Sequence, residues 1–174
     1  MQFHDQYDGG ALDRFEDVAL RSTIAELRQL FLFACTPPTP WEYDIERRPL
    51  ATYIAIGVSV ALRPNDCIPL VIEALMIPES RTRVLKGLAF AADQPGYCFD
   101  ARLEPIVRDL TIGLRDLSND AIFEIIACAV GLEKEAAQTF LNDLERRFGQ
   151  TTIHKQVIQE TREYIASLSE DSAS

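Results

Sequence analysis

The segment from Asp66 to Leu132 reads as two copies of one helix-pair unit, and no other feature restricts the fold as much. "IPLVIEALMIPESRTRVLKGLAFAAD" is followed by "EPIVRDLTIGLRDLSNDAIFEIIACAVG". Pro69 aligns with Pro105, Val71 with Val107 and Glu73 with Asp109. Further on, Leu88 aligns with Ile126, Ala89 with Ala127 and Ala91 with Ala129. The offset is 36 residues in the first helix and 38 in the second. A period of that size means stacked helical hairpins, each too small to bury its apolar face alone, so that neighbours share one core.

A chain of 174 residues that is 47% hydrophobic can bury one substantial core, and the sequence predicts a single helical domain. Its charge is lopsided: 17 Lys and Arg stand against 27 Asp and Glu, a net −10, which repels phosphate backbones and argues against direct nucleic-acid binding. The same charge suits a basic protein partner, although it also keeps a protein soluble. The excess is spread along the chain, with a neutral stretch over 49–93 that holds 4 acids and 4 bases. Cys35, Cys67, Cys98 and Cys128 have no C-x-x-C spacing, and three of them sit where apolar helix residues belong. They read as reduced thiols rather than a metal quartet. "MQFHDQYDGG" has no basic-then-apolar signal pattern, and the apolar run Leu50 to Leu62 is too short to span a membrane. The expected setting is a reducing cytoplasm.

Apolar residues at three- and four-residue spacing, from Leu12 through Phe15, Ala19, Leu20, Ile24, Leu27 and Phe31 to Ala34, predict one long helix. Pro37, Pro38 and Pro40 stop it. "LATYIAIGVSVAL" is apolar on all sides. Its alternating β-branched residues would suit a strand, yet no second strand exists to pair with, so a central helix is expected. Asp66 is expected to cap the next helix, with Pro69 in its first turn. Pro78 separates it from a helix over 79–93 that shows Arg81, Arg83 and Lys86 to solvent. Asp100 caps the second copy, Asp116 and Ser118 form its turn, and Gly131 ends it. Two further helices follow, separated by Gly149. The last is capped by Thr151 or Thr152 and turns Ile153, Val157, Tyr164, Ile165 and Leu168 inward. The organisation is thus N-terminal helices over 12–62, two hairpins over 66–131, a C-terminal hairpin over 132–168 and a tail over 169–174.

The pattern Pro69-Leu70-Val71, Leu75, Pro78-Glu79 and Arg83-Val84 leading into Leu88-Ala89-Phe90-Ala91 resembles a HEAT repeat. The second copy keeps Pro105-Ile106-Val107, Leu110 and Ala127-Cys128-Ala129, but has Ala121-Ile122 in place of the basic-apolar pair and a longer turn. Residues 132–168 match only as a further hairpin. The resemblance implies an all-α fold, a short right-handed stack of antiparallel helical hairpins with about eight helices, and a curved surface without catalysis; any chemistry must be argued from side chains.

Such chemistry is scarce. Gly57-Val58-Ser59-Val60-Ala61 is close to a nucleophile elbow, but an elbow needs a strand before it, and Ser59 falls inside an apolar helix. Asp116-Leu117-Ser118-Asn119-Asp120 spaces oxygens like the start of a calcium loop, yet Ala121 replaces the turn glycine and Ala127 the bidentate glutamate, so capping explains these residues better. There is no H-E-x-x-H, no Walker loop and no G-x-G-x-x-G, and His4 and His154 read as a surface and a helix-face residue. Thr52, Tyr53 and Ser59 are the polar suspects for an internal pocket. No cofactor and no metal are expected.

What remains is a non-catalytic protein-binding module, a monomer or weak homodimer, whose partner has a basic surface. An acidic inhibitor of immunity or antitoxin type, covering the cleft of a basic nuclease toxin, fits this class, as does an adaptor or regulatory subunit. A small-ligand-binding helical enzyme is the alternative from another class. In α-solenoids the second helices line the concave side, so the expected docking residues are Arg83 and Lys86, then Asp116, Asp120 and Glu124, then Glu135, Gln138 and Asn142. Asp120 and Glu124, four apart, share one helix face. Trp41, in the proline-rich loop, is a candidate aromatic anchor, although a ring that plugs the loop onto the helices is the commoner use of such a residue.

Overall fold

In the computed structural model the described residues are 9–32, 48–94, 96–97, 99–114 and 116–171. Among them every regular element is helical: α1 (Gly9–Arg21), α2 (Ile24–Leu32), α3 (Arg48–Leu62), α4 (Pro64–Leu75), α5 (Pro78–Asp93), α6 (Leu103–Gly113), α7 (Asn119–Ala127), a 3-10 turn (Cys128–Gly131), α8 (Lys134–Phe148) and α9 (Thr152–Asp171). The all-helical expectation is met, and the β-branched run Thr52 to Val60 lies within α3. The chain divides into two compact units, Met1–Gly87 and Leu88–Ser174, with the boundary inside α5.

In the first unit α1 packs on α3, α2 on α3 and α4, and α3 on α4. The single long helix expected from Leu12 to Ala34 is instead two. Ser22 and Thr23 interrupt it, because Thr23 and Glu26 form a capping box that starts α2: the Glu26 amide donates to Thr23 Oγ1 (3.3 Å), and the Thr23 amide donates to Glu26 Oε2 (2.7 Å). These bonds hold the Glu26 carboxyl below its ordinary range, the Thr23 amide contributing most. Arg63 fixes the break from the other side by donating to the carbonyls of Ala19 (3.1 Å) and Ser22, the end of α1. The interruption rotates the face, so Leu20 and Ile24, which the stripe placed inside, are 62% and 49% exposed.

A second correction concerns α4. It begins at Pro64 rather than after Asp66, so Pro69 lies inside the helix and not in its first turn. Pro64 at the first helical position has the preset φ that a helix start needs, and Arg63, in bonds to Asp66 Oδ2 at 2.7 and 2.9 Å, occupies the carboxylate that was expected to cap. Where α4 ends, Arg81 Nε donates to the Leu75 carbonyl (2.9 Å).

In the second unit α8 packs on α9, and α7 on both. Ser118 caps α7, its Oγ accepting from the Ala121 amide (3.1 Å), as the turn residues suggested. Ala121, Ile122, Ile125 and Ile126 are buried on α7; Ala137, Phe140, Leu141 and Leu144 are buried on α8. Gly131 ends the 3-10 turn for want of space: a Cβ there would lie 2.7 Å from the Phe99 ring and 2.8 Å from Ala92 Cβ.

The α9 face is a third correction. Thr151 accepts from the His154 amide (3.3 Å) and starts the helix, but the buried residues are His154 and Ile158. Ile153, Tyr164 and Leu168, expected inward, are 53%, 39% and 41% exposed. His154 Nδ1–H donates to the Phe148 carbonyl at the end of α8 (3.1 Å), and its ring sits edge-on to Phe123 at 5.5 Å and Phe148 at 6.4 Å. This aromatic cluster decides which side of α9 turns inward.

Candidate protein-binding surface

The acidic group at the head of α7 is built by its turn. Asp116 has φ 60°, a left-handed conformation that Asp tolerates better than most side chains, and it reverses the chain after α6. Ser118 then fixes the first turn of α7, with Asp120 exposed in it. The partial positive charge of a helix N-terminus favours an acid at that position. Glu124 lies one turn further on and is half-buried, and its charge, after burial, helps to push the Cys128 thiol up.

Several arginines of this unit are held by other acceptors. Arg102 grips Asp100 (2.7 Å), Arg108 reaches Glu104 (3.2 Å), and Arg162 reaches Glu145 (2.7 Å). Arg147 donates to the Leu114 carbonyl at the end of α6 (2.7 Å). Asp116 and Asp120 form no ion pair among the described residues. They present net negative charge to solvent.

On α8, Glu135 is exposed in the first turn, and its carbonyl accepts from Thr139 Oγ1 (2.9 Å). Gln138 and Asn142 are brought together: Gln138 Nε2 donates to Asn142 Oδ1 (3.2 Å), which also accepts from Arg162 Nη2 (2.8 Å). Asn142 is therefore tied to α9. It borders an open groove of about 570 Å³ together with Glu145, Arg146, Gly149, Gln150 and Lys155.

Arg83 and Lys86 belong to the first unit. Both are half-buried rather than fully solvent-facing. Arg83 Nη2 donates to the Phe31 carbonyl (3.0 Å) and Ser80 Oγ to that of Leu32 (2.7 Å), so the start of α5 supplies donors to the last turn of α2. Trp41 lies outside the described residues, as do Cys35 and Cys98.

Of the polar suspects, Thr52 and Ser59 are buried in α3, and Ser59 Oγ has no hydrogen-bond partner among the described residues. Ser59 sits mid-helix, without the strand–turn–helix corner that an elbow requires. The Cys67 thiol donates to the Ser59 carbonyl (3.3 Å) and is pushed up to about 12, chiefly by burial. No group of three or more His, Cys, Asp or Glu is placed to hold a metal among the described residues. No helix among them is long and apolar enough to cross a membrane. Ile153, Tyr164 and Leu168 of α9, expected in the core, are exposed.

Compared with known proteins, the chain matches no family model, no curated protein and no solved structure.

Proposed function

We propose that the chain is a non-catalytic protein-binding module of HEAT-like helical hairpins, acting in the cytoplasm, whose partner presents a basic face to Asp116, Asp120 and Glu124. The observation that carries this reading is the exposed pair Asp116 and Asp120 at the head of α7, in a unit where, among the described residues, Arg102, Arg108, Arg147 and Arg162 bind other acceptors. Glu135, on the exposed first turn of α8, adds to the negative charge of that unit. Charge so disposed steers a basic partner and repels nucleic acid. Within this class we favour an inhibitor of a basic protein such as a nuclease toxin, because acidic side chains can stand in for the phosphates that such a cleft binds.

The test is affinity capture of the tagged chain from its native host. The reading expects one stoichiometric protein partner with a basic surface patch. Recovery of an acidic partner, or of no protein at all, contradicts it.

A further inference from the structure

The outer face of α9 has a chemistry of its own. Ile153, Val157, Tyr164 and Leu168 fall within about 60° of one another around the helix at ~100° per residue, and the row is roughly 22 Å long. Ile153, Tyr164 and Leu168 are 53%, 39% and 41% exposed, while Val157 is half-buried. The row is more apolar than the inward one, where His154 and Arg162 take part. Tyr164 is held in place, its hydroxyl donating to Asp93 Oδ1 (2.9 Å), so its ring remains a fixed part of the surface.

Among the described residues, Glu160, Glu163 and Asp93 place acids beside this row. Exposed Glu160 and Glu163 accept from Gln156 and Gln159 (2.8 Å each), and Asp93 meets the tyrosine hydroxyl. The two basic residues of α9 lie toward α8. Arg162 is bonded to Asn142 and Glu145, and Lys155 lines the groove with Glu145 and Arg146.

We infer that this face of α9 is a docking surface for an amphipathic helix of a protein partner, with apolar anchors at three- and four-residue spacing and Lys or Arg on its flanks. A straight apolar row along one helix is complemented by the ridge of a second helix. The acidic rim selects basic flanks, whereas a second copy of α9 would bring Glu160 and Glu163 against their own kind. This surface is distinct from Asp116, Asp120 and Glu124, and does not depend on the role assigned to them.

The probe is a synthetic leucine–lysine peptide of about 18 residues with leucines at i, i+3, i+4 and i+7, titrated against the full chain by fluorescence anisotropy. A scrambled peptide of the same composition serves as control. The amphipathic peptide is expected to bind about tenfold more tightly than the scrambled one, a margin that Ile153→Asp/Leu168→Asp abolishes. Glu160→Lys/Glu163→Lys should weaken binding about tenfold, while Asp120→Lys/Glu124→Lys changes it less than about twofold. All these positions are at least partly exposed, and circular dichroism of each variant checks that its helicity is intact. Equal binding of the scrambled peptide overturns the inference, as does indifference to Ile153→Asp/Leu168→Asp. It is also overturned if light scattering gives a dimer that Ile153→Asp dissolves, or if the chain co-sediments with phosphatidylcholine vesicles through the same residues.

Discussion

Replacing Gly87 with Ala tests the close approach of α5 to α3. A Cβ at position 87 would lie 2.4 Å from Ile56 Cγ2, 2.8 Å from Ile56 Cβ and 3.0 Å from the Tyr53 carbonyl oxygen. Two of these atoms are fixed close to the α3 backbone, and the third belongs to a side chain with no exposed surface. Neither helix can yield by a rotamer change alone. Overpacking of this kind costs about 1–3 kcal/mol and sometimes more. The better helix propensity of Ala returns about 1 kcal/mol. The approach to Cγ2 is far inside ordinary contact, which puts the steric cost at the upper end, so the net loss should be about 1–2 kcal/mol, or a Tm lower by roughly 2–8 °C. Thermal and urea denaturation followed by far-UV circular dichroism measure it. Gly113→Ala is the control, because nothing lies within 4 Å of that Cβ, and the substitution should be neutral or stabilising by up to ~1 kcal/mol. Ile56→Ala removes the nearest obstacle at its own cost of about 2–5 kcal/mol, and in that background Gly87→Ala should cost less than it does in the parent. A Gly87→Ala protein as stable as the parent, or strict additivity with Ile56→Ala, would refute the packing described.

Leu88 and Ile126 have no exposed surface, and either one changed to Ala should cost about 2–5 kcal/mol in urea denaturation; a loss below ~0.5 kcal/mol would remove them from the core. Burial pushes the Cys67 thiol up to about 12 and the Cys128 thiol higher still, so both stay protonated in the native chain. Because these folded-state values lie above the ordinary 9.0, stability is intact below that pH and falls as pH rises through the folded values. Mass mapping after iodoacetamide at mildly alkaline pH should find both cysteines unmodified until denaturant is added, and rapid native labelling would contradict the burial. Asp100 is held at about 2 by Arg102, through its guanidinium and then its amide. A lowered carboxyl stabilises above its ordinary 3.8 and loses that contribution as pH falls toward 2, so the Tm gap between the parent and Asp100→Ala should narrow over that interval, a gap that stays constant being the contrary result.

Helix content and most core positions were legible because three- and four-residue periodicity survives wherever one face of a helix packs. The helix break at Ser22 was missed: Thr23-Ile24-Ala25-Glu26 spells a capping box, but the apolar stripe running past it suggested continuity. On α9 periodicity alone misled. The helix carries two adjacent rows, and the more apolar one, Ile153 through Leu168, is not the one that meets α7 and α8. Inward placement of His154 depends on the Phe148 carbonyl and the Phe123 ring, neither of which a local pattern reveals. Of the candidate surface, the turn at Asp116 and the cap at Ser118 were readable from residue type. The bond from Arg83 to the Phe31 carbonyl was not, because its partner is 52 residues away in the chain.

Under the proposed function, acids at the head of α7 steer a basic protein partner. Association kinetics of the captured partner, measured by stopped flow with the parent chain and with Asp120→Lys/Glu124→Lys at low and high salt, are the test of that steering. Association should be slowed about tenfold or more by the double reversal, and slowed by salt for the parent, with helicity unchanged. A rate constant indifferent to both the reversal and the salt would contradict it.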